Sequence, residues 1–185
     1  MAKWMKRIAI TTLLCGVVMV ALYYYNLTDY EDRLYTSNTL ITDTFPGSEV
    51  SASLSARSKR WREKEGMIVW GNPYEITIDV SGKKNVVGKS VKITNVMLTA
   101  TDTGKVIHQT DTTFIRAFKW DDYYGMSRAY FRTPKFEIPY TDCTLRFDLV
   151  AEGPWGIKDA TIEIPFERKF RAYQGIPAYE GLKGL

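Results

Sequence analysis

The sequence predicts an all-β exported domain behind one membrane helix. An N-terminal transmembrane helix is expected first, then a short amphipathic helix, and then an immunoglobulin-like antiparallel β-sandwich. Three observations lead to this prediction. Residues 8–25 contain no charged residue, several later segments alternate apolar and polar side chains, and no long helical pattern follows residue 66. A long uncharged run is typical of a membrane helix, and strict alternation is typical of strands that cover a core on one side.

The uncharged run extends over Ile8–Tyr25. With a helical rise of about 1.5 Å per residue it would span roughly 27 Å, close to the roughly 30 Å apolar core of a bilayer. Lys3, Lys6 and Arg7 precede it, so the positive-inside rule places the N-terminus in the cytoplasm. We therefore expect residues 1–25 to form a cytoplasmic end and a signal-anchor that contacts lipid in the cell inner membrane, with the C-terminal domain periplasmic.

A cleaved signal peptide is the alternative for this segment. Cleavage requires small residues at positions −3 and −1, and a site after Ala21 would place Met19 at −3. The scarcity of cysteines and a lone glycosylation sequon at Asn26, next to the membrane segment, favour a bacterial envelope over a eukaryotic cell surface. An uncleaved anchor in a bacterial inner membrane is therefore the preferred prediction.

Composition excludes several classes of protein. The 185 residues include only 2 cysteines and 1 histidine, whereas a disulfide scaffold, a Cys/His zinc site and a His-centred triad each require more. Three of the 25 basic residues precede the uncharged run, so 22 remain against 21 acidic residues. This balance does not indicate a nucleic-acid-binding surface. We expect no metal and no cofactor, and we expect Cys143 to be a buried apolar side chain rather than a reactive thiol.

Residues 26–65 are rich in polar and turn-forming residues, which predicts a stalk. Within it, Val50, Leu54 and Trp61 recur at helical spacing, and Ser48 could cap a short amphipathic helix that ends near Gly66. The basic end of this helix is either a solvated face or a contact surface for anionic lipid headgroups or an acidic partner. Its residues are Arg57, Lys59, Arg60, Trp61 and Arg62.

Residues 66–171 are predicted to form the sandwich. The segments Tyr74–Val80, Cys143–Leu149 and Ala160–Phe166 alternate without error, and Val91–Ala100 alternates with a phase slip at Thr94–Asn95, which predicts a bulge or a crossing between sheets. A hairpin turn is expected at Asp102-Thr103-Gly104. Further short strands are expected at Met67–Trp70, Lys105–Gln109, Thr113–Phe118, Ala129–Phe131 and Lys135–Ile138.

Two features qualify this architecture. The Cys…Trp…Cys pattern of antibody domains is missing, so the likeness to immunoglobulin domains is one of architecture. Residues 172–185 contain glycine and proline without alternation. They are expected to form a flexible tail or a peptide that becomes ordered on a partner.

Aromatic residues are concentrated in a predicted loop between strands, from Phe118 to Met126, and Trp155 lies in a second turn. Exposed Trp and Tyr side chains are typical of protein-binding hot spots and of platforms on which sugars stack. The alternative is that these rings close the end of the sandwich. The predicted binding residues are Phe118, Trp120, Asp121, Asp122, Tyr123, Tyr124 and Trp155.

These patterns predict a binding module rather than an enzyme. We expect the exported domain to bind or assemble with another cell-envelope component, most simply a protein. Association of the anchor into an oligomer is a further option with weak support, because Gly16 has no small-residue partner one turn away better than Thr12. The alternative function is a membrane-anchored hydrolase that acts on wall polymer or peptide, with Asp121 or Asp122 as the acid/base group.

Overall fold

The computed structural model describes residues 2–25, 27–56, 61–64, 67–82 and 89–175. Among these residues there are one helix and thirteen strands. The helix, α1, spans Ala2–Tyr25. The strands are β1 (Thr28–Thr36), β2 (Ile41–Thr42), β3 (Ser48–Ala56), β4 (Trp61–Lys64), β5 (Met67–Trp70), β6 (Tyr74–Gly82), β7 (Ser90–Ala100), β8 (Val106–Thr110), β9 (Phe114–Ala117), β10 (Lys119–Asp121), β11 (Met126–Arg132), β12 (Cys143–Gly153) and β13 (Gly156–Gly175).

Helix α1 contains the uncharged run. The apolar side chains described on it are exposed, among them Leu13, Val17 and Met19. Thr12 Oγ1 donates a hydrogen bond to the carbonyl oxygen of Ile8 one turn earlier. Across the residues that the structure describes, no helix is long and apolar enough to span a membrane.

The chain divides into two compact units. The first comprises the described residues within Met1–Glu31, Arg60–Val69 and Arg171–Leu185. In it β4 pairs antiparallel with β5, and in the hydrogen-bonded order of strands β5 is followed by β1 and β13. The rings of Tyr30 and Tyr173 stack with centroids 5.2 Å apart. The predicted tail therefore begins inside β13, and its residues after Gly175 lie outside the described part of the chain.

The second unit comprises the described residues within Asp32–Lys59 and Trp70–Phe170. One sheet has the strand order β10-β11-β6-β3-β2. In the other sheet β12 lies between β13 and β7, and both β8 and β9 pair with β7. The protein is thus mostly β with two sheets, consistent with an all-β sandwich.

The core of this unit is formed by alternate side chains of both sheets. Ile76 and Ile78 of β6 and Leu145 and Phe147 of β12 are all buried in one cluster. Each such side chain contributes about 1.5–3 kcal/mol through its removal from water. Arg146, next to Phe147, is exposed, so the alternation predicted for this segment is confirmed.

The predicted bulge in β7 is also confirmed. Met97 of β7 lies opposite Arg146 of β12, and Thr94 lies opposite Asp148, so two residues of β7 face one residue of β12 between these pairs. Asn95 has a φ of 54° and donates from Nδ2 to Asp148 Oδ2 at 2.6 Å. The extra residue restores the inward direction of the apolar side chains after the slip.

The predicted short helix between Ser48 and Glu65 is wrong, because Ser48–Ala56 forms strand β3. Val50 and Leu54 have helical spacing, but with Ala52 they also alternate with serines, and pairing along β6 selects the extended form. Trp61 and Arg62 belong to strand β4. The segment predicted as a stalk thus contains strands β1 to β4.

The predicted strand at Lys135–Ile138 is wrong as well. Only an isolated bridge forms there, between Phe136 and Tyr74. Pro134 and Pro139 flank the segment and lack the N–H groups that a continuous ladder needs. Ile138 is instead held by the amide of Asn72, which donates to its carbonyl oxygen at 2.9 Å and accepts from its N–H at 2.8 Å.

Candidate functional site

A tight turn joins β10 to β11 and presents the aromatic residues singled out in the sequence. Asp121 Oδ1 accepts hydrogen bonds from the backbone N–H groups of Tyr123 and Tyr124, at 3.0 and 3.3 Å. The N–H of Gly125 donates to the Asp121 carbonyl oxygen at 2.8 Å, and Gly125 adopts a φ of 63°, which favours glycine. The turn therefore has a defined conformation set by one carboxylate and one glycine.

Three aromatic rings of this hairpin are exposed to solvent. The exposed fraction is 42% for Trp120, 88% for Tyr123 and 55% for Tyr124. Trp120 Nε1 donates to Asp122 Oδ1 at 2.7 Å, so the indole has a fixed orientation. The rings of Tyr123 and Tyr124 meet edge to face with centroids 4.8 Å apart. These side chains form a preorganised aromatic surface.

Arg128 of β11 contacts two residues of the turn, Asp121 and Tyr124, and also Asp79 of the neighbouring strand β6. Its guanidinium donates to both carboxylate oxygens of Asp79 on β6, and Nη1 lies 3.6 Å from Asp121 Oδ2. Its Cζ lies 4.3 Å from the centroid of the Tyr124 ring, a cation–π contact. Hydrogen bonding to Asp79 raises the pKa of Arg128 above its usual value. The charge is therefore permanent, and it ties the turn to a central strand.

A groove of about 670 Å³ lies beside the hairpin, and we call it the aromatic groove. Its volume is within the range of small-molecule sites, roughly 300–1,000 Å³. Arg116 and Lys119 form no ion pair with any carboxylate that the structure describes. The lining residues are Arg116, Ala117, Lys119, Trp120, Asp121, Asp122, Tyr123, Arg128 and Tyr130.

Phe118 and Trp155 have a different role from the exposed rings. Both are half-buried and pack against the core. The Phe45 ring stacks on Trp155 with centroids 5.0 Å apart and meets Phe118 edge to face at 6.0 Å. Trp155 Nε1 is buried without a hydrogen-bond partner in the described chain. The predicted set therefore divides into rings that pack on the core and rings that face solvent.

The predicted basic surface lies mostly outside the described residues. This holds for Arg57, Lys59 and Arg60, whereas the backbone of Trp61 and Arg62 lies in β4.

Sequence reasoning missed the basic and aromatic residues that face solvent on β11. Ala129 and Phe131 are buried, and Arg128, Tyr130 and Arg132 alternate with them on the outer face. Arg132 lies over the Tyr130 ring, with Cζ 4.9 Å from the centroid. The alternation could have revealed this face, but the predicted strand covered only Ala129–Phe131.

His108 and Cys143, whose side chains could serve as a base or a nucleophile, do not line the groove. His108 stacks on Phe136 with centroids 3.9 Å apart, and burial lowers its pKa. Cys143 is fully buried, as predicted, and burial raises the pKa of its thiol to about 12. This cysteine therefore stays protonated and unreactive at neutral pH.

The described residues contain no group of three or more His, Cys, Asp or Glu side chains that could hold a metal ion. The chain matches no protein-family model, and comparisons with curated proteins and with solved structures found no match.

Proposed function

We propose that this protein is a single-pass membrane protein whose exported, immunoglobulin-like β-sandwich binds or assembles with another cell-envelope component. The aromatic groove is the proposed contact site. One observation carries the proposal: Asp122 holds the indole N–H of Trp120 and Asp121 holds the backbone of Tyr123, yet both rings are exposed, by 42% and 88%.

Exposure of ordered aromatic rings supports a binding role on energetic grounds. A solvent-exposed Trp or Tyr gives up the favourable burial of a large apolar surface. The same ring becomes a strong anchor when a partner covers it, and the turn reduces the conformational entropy lost on binding because it already fixes the backbone. Phe118 and Trp155, in contrast, pack on Phe45 at the core and are not offered to a partner in this way.

The proposed membrane location rests on the sequence. The segment Ile8–Tyr25 has no charged residue and lies within α1, and Lys3, Lys6 and Arg7 precede it. We propose that this segment contacts lipid in the inner membrane with the N-terminus cytoplasmic, so that the β-sandwich lies in the periplasm. A periplasmic site would meet components of the envelope rather than cytoplasmic ligands.

The hydrolase alternative is less well supported by the carboxylates on which it depends. Asp121 accepts two backbone hydrogen bonds and lies near Arg128, and Asp122 accepts the indole hydrogen bond of Trp120. Both side chains thus have structural partners. A hydrolase would lose its activity in Asp121→Asn or Asp122→Asn while folding and partner capture stayed intact, and that result would contradict the binding proposal.

Site-specific cross-linking tests the proposed contact. A photoreactive benzoylphenylalanine at Tyr123 should, on irradiation of native membranes, form an adduct of defined mass. The matched control places the same group at Phe170, which is 60% exposed on β13. An adduct at position 123 and none at position 170 supports the proposal. Equal adducts at both positions, or none at 123, would show that the hairpin is not the contact site.

A further inference from the structure

The acidic and basic side chains that line the aromatic groove differ in their contacts. Asp121 accepts two hydrogen bonds from the backbone of the turn, and Asp122 accepts one from the indole of Trp120. Arg116 and Lys119 are exposed, and they form no ion pair with any carboxylate that the structure describes. The lining groups left to attract a ligand by charge are therefore basic.

Lys119 also lies beside a second basic residue. It is directly opposite Arg128 in the antiparallel pair of β10 and β11, so both side chains project from the same face of the sheet. Arg128 is bound to the carboxylate of Asp79, whereas Lys119 has no such partner among the described carboxylates. Like charges directly opposite each other destabilise a sheet. An anionic group bound to Lys119 would reduce this repulsion, so the arrangement favours an anion.

The position of Lys119 in the sheet indicates how the anionic group is presented. Strand β10 is at one end of the five-stranded sheet, and β11 is its strand partner in the described part of the chain. The outer edge of β10 can therefore pair with an extended peptide. A lysine on an edge strand discourages pairing with most strands, but it would form ion pairs with acidic side chains. A phosphate group or a sugar acid could bind the basic groups, and only a peptide would also use the edge.

From these observations, and resting on the proposed function of the groove, we infer that the envelope component presents an extended acidic peptide segment. Its carboxylates form ion pairs with Arg116 and Lys119, and its backbone lies along the outer edge of β10. Tyr123, which is 88% exposed in the turn after β10, provides an apolar contact. Arginine and tyrosine are among the residue types enriched at protein-binding hot spots.

Titration calorimetry with the full chain in a zwitterionic detergent tests this inference. The probe is a six-residue peptide of alternating threonine and glutamate, acetylated and amidated at its ends. The matched control has glutamine in place of glutamate. The acidic peptide should bind at least about tenfold more tightly than the control, and its affinity should fall as the salt concentration rises. Absence of binding by the acidic peptide, or equal binding by the control, would overturn the inference.

Two further probes distinguish a peptide from other anions. Trigalacturonate has as many carboxylates as the acidic peptide but no peptide backbone, and inorganic phosphate tests for a site that accepts any small anion. Both should bind more weakly than the acidic peptide, because neither can pair with the edge of β10. Equal or tighter binding of either would assign the groove to an acidic glycan or a phosphate group, and it would overturn the peptide assignment.

Variants connect the binding to the assigned residues. Arg116→Gln and Lys119→Gln should each weaken binding of the acidic peptide about threefold, as expected for one exposed ion pair, and together about tenfold. Lys158→Gln, at an exposed position of β13, should leave binding unchanged. Lys119→Gln also removes the like charge opposite Arg128, so the melting temperature should not fall. Unchanged binding in the double variant, or loss of binding only with earlier melting, would contradict the assigned role.

The cross-linked adduct separates failure of this inference from failure of the proposed function. Mass spectrometry of the adduct at position 123 should find a peptide in which at least two of six consecutive residues are Asp or Glu. An adduct made of sugar or lipid, or of a peptide without such a segment, would overturn the acidic-peptide assignment and leave the contact site intact. Absence of any adduct at 123 would count against the proposed function itself.

Discussion

The guanidinium of Arg128 lies over the ring of Tyr124, with 4.3 Å between Cζ and the ring centroid. The same guanidinium donates to Asp79, which lies on β6 between β11 and β3. An exposed turn at the edge of the sheet is thereby connected to a strand in its centre.

Replacement of Arg128 by Ala should lower the free energy of unfolding by about 2 kcal/mol, between the values typical of exposed and buried ion pairs. Asp79, whose side chain is only 19% exposed, would lose its bidentate donor. Urea unfolding measures the change. Arg146→Ala is the matched control, because its 3.8 Å pair with Glu163 is exposed, and it should change stability by less than about 0.5 kcal/mol. Equal losses would contradict the supporting role of Arg128.

The exposed and the packed rings should differ in their effect on stability. The double variant Trp120→Ser and Tyr123→Ser should leave the melting temperature of the full chain nearly unchanged. Trp120→Ser alone should abolish adduct formation by the photoreactive group at position 123. Trp155→Ser should cost about 2 kcal/mol or more, because its ring is stacked on Phe45. If the double variant melts far earlier than the native protein, the exposed rings support folding rather than contact.

Phe147→Asp should unfold the sandwich unit. It would bury an unpaired carboxylate and remove aromatic packing at a fully buried position of β12. Circular dichroism of the purified protein would detect the loss of strand structure. Asp at position 146, next along the strand and exposed, should be tolerated, and a similar collapse there would mean that the inward and outward faces are assigned incorrectly.

Acidification should destabilise the protein through His108. Burial lowers the pKa of this imidazole in the folded state, so below the unfolded pKa of about 6.5 the unfolded chain binds more protons. Stability should therefore fall as the pH decreases from 7.5 to 5. His108→Phe keeps a ring on Phe136 but cannot titrate, and its melting temperature should depend less on pH. An unchanged dependence would exclude His108 as the source.

The charges before α1 allow the proposed topology to be tested. A reporter that is active only outside the cytoplasm, fused after Leu185, should be active, and a reporter active only in the cytoplasm should be silent. Reversal of Lys3, Lys6 and Arg7 to Glu should reduce insertion in the proposed orientation, because the positive-inside rule then no longer favours a cytoplasmic N-terminus. The opposite reporter pattern for the native chain would exclude the proposed location.

Alternation of side chains predicted the strands that cover the core. It placed β6 and β12 correctly, and the phase slip at Thr94–Asn95 identified the bulge where Asn95 bonds to Asp148. These features are local, because the period of two is set by the backbone itself. The hairpin turn at Asp102-Thr103-Gly104 was predictable from local sequence too. Gly104 adopts a φ of 66°, a conformation that favours glycine, so the residue itself marks the turn.

Features that depend on tertiary pairing were not predictable. The apolar residues of β3 fit two periods, and only its partner β6, which begins 18 residues after β3 ends, selects the strand. The aromatic groove was not predictable either, because it also depends on contacts between residues that are distant in sequence. Arg128 and Asp79 are 49 residues apart in sequence, and no local pattern indicates that they meet beneath Tyr124. The sequence showed which rings were concentrated in the hairpin but not which of them face solvent.

The pairing of β3 with β6 has a practical consequence for protein production. Nine residue pairs, from Ser48–Gly82 to Ala56–Tyr74, join these strands. A shortened chain that begins at residue 66 would lack β3 and would leave one edge of β6 open, with Ile76, Ile78 and Val80 beside it. An unprotected edge of this kind pairs readily with other chains. Such a fragment should accumulate in inclusion bodies, and a fragment that begins at residue 28 should remain in solution.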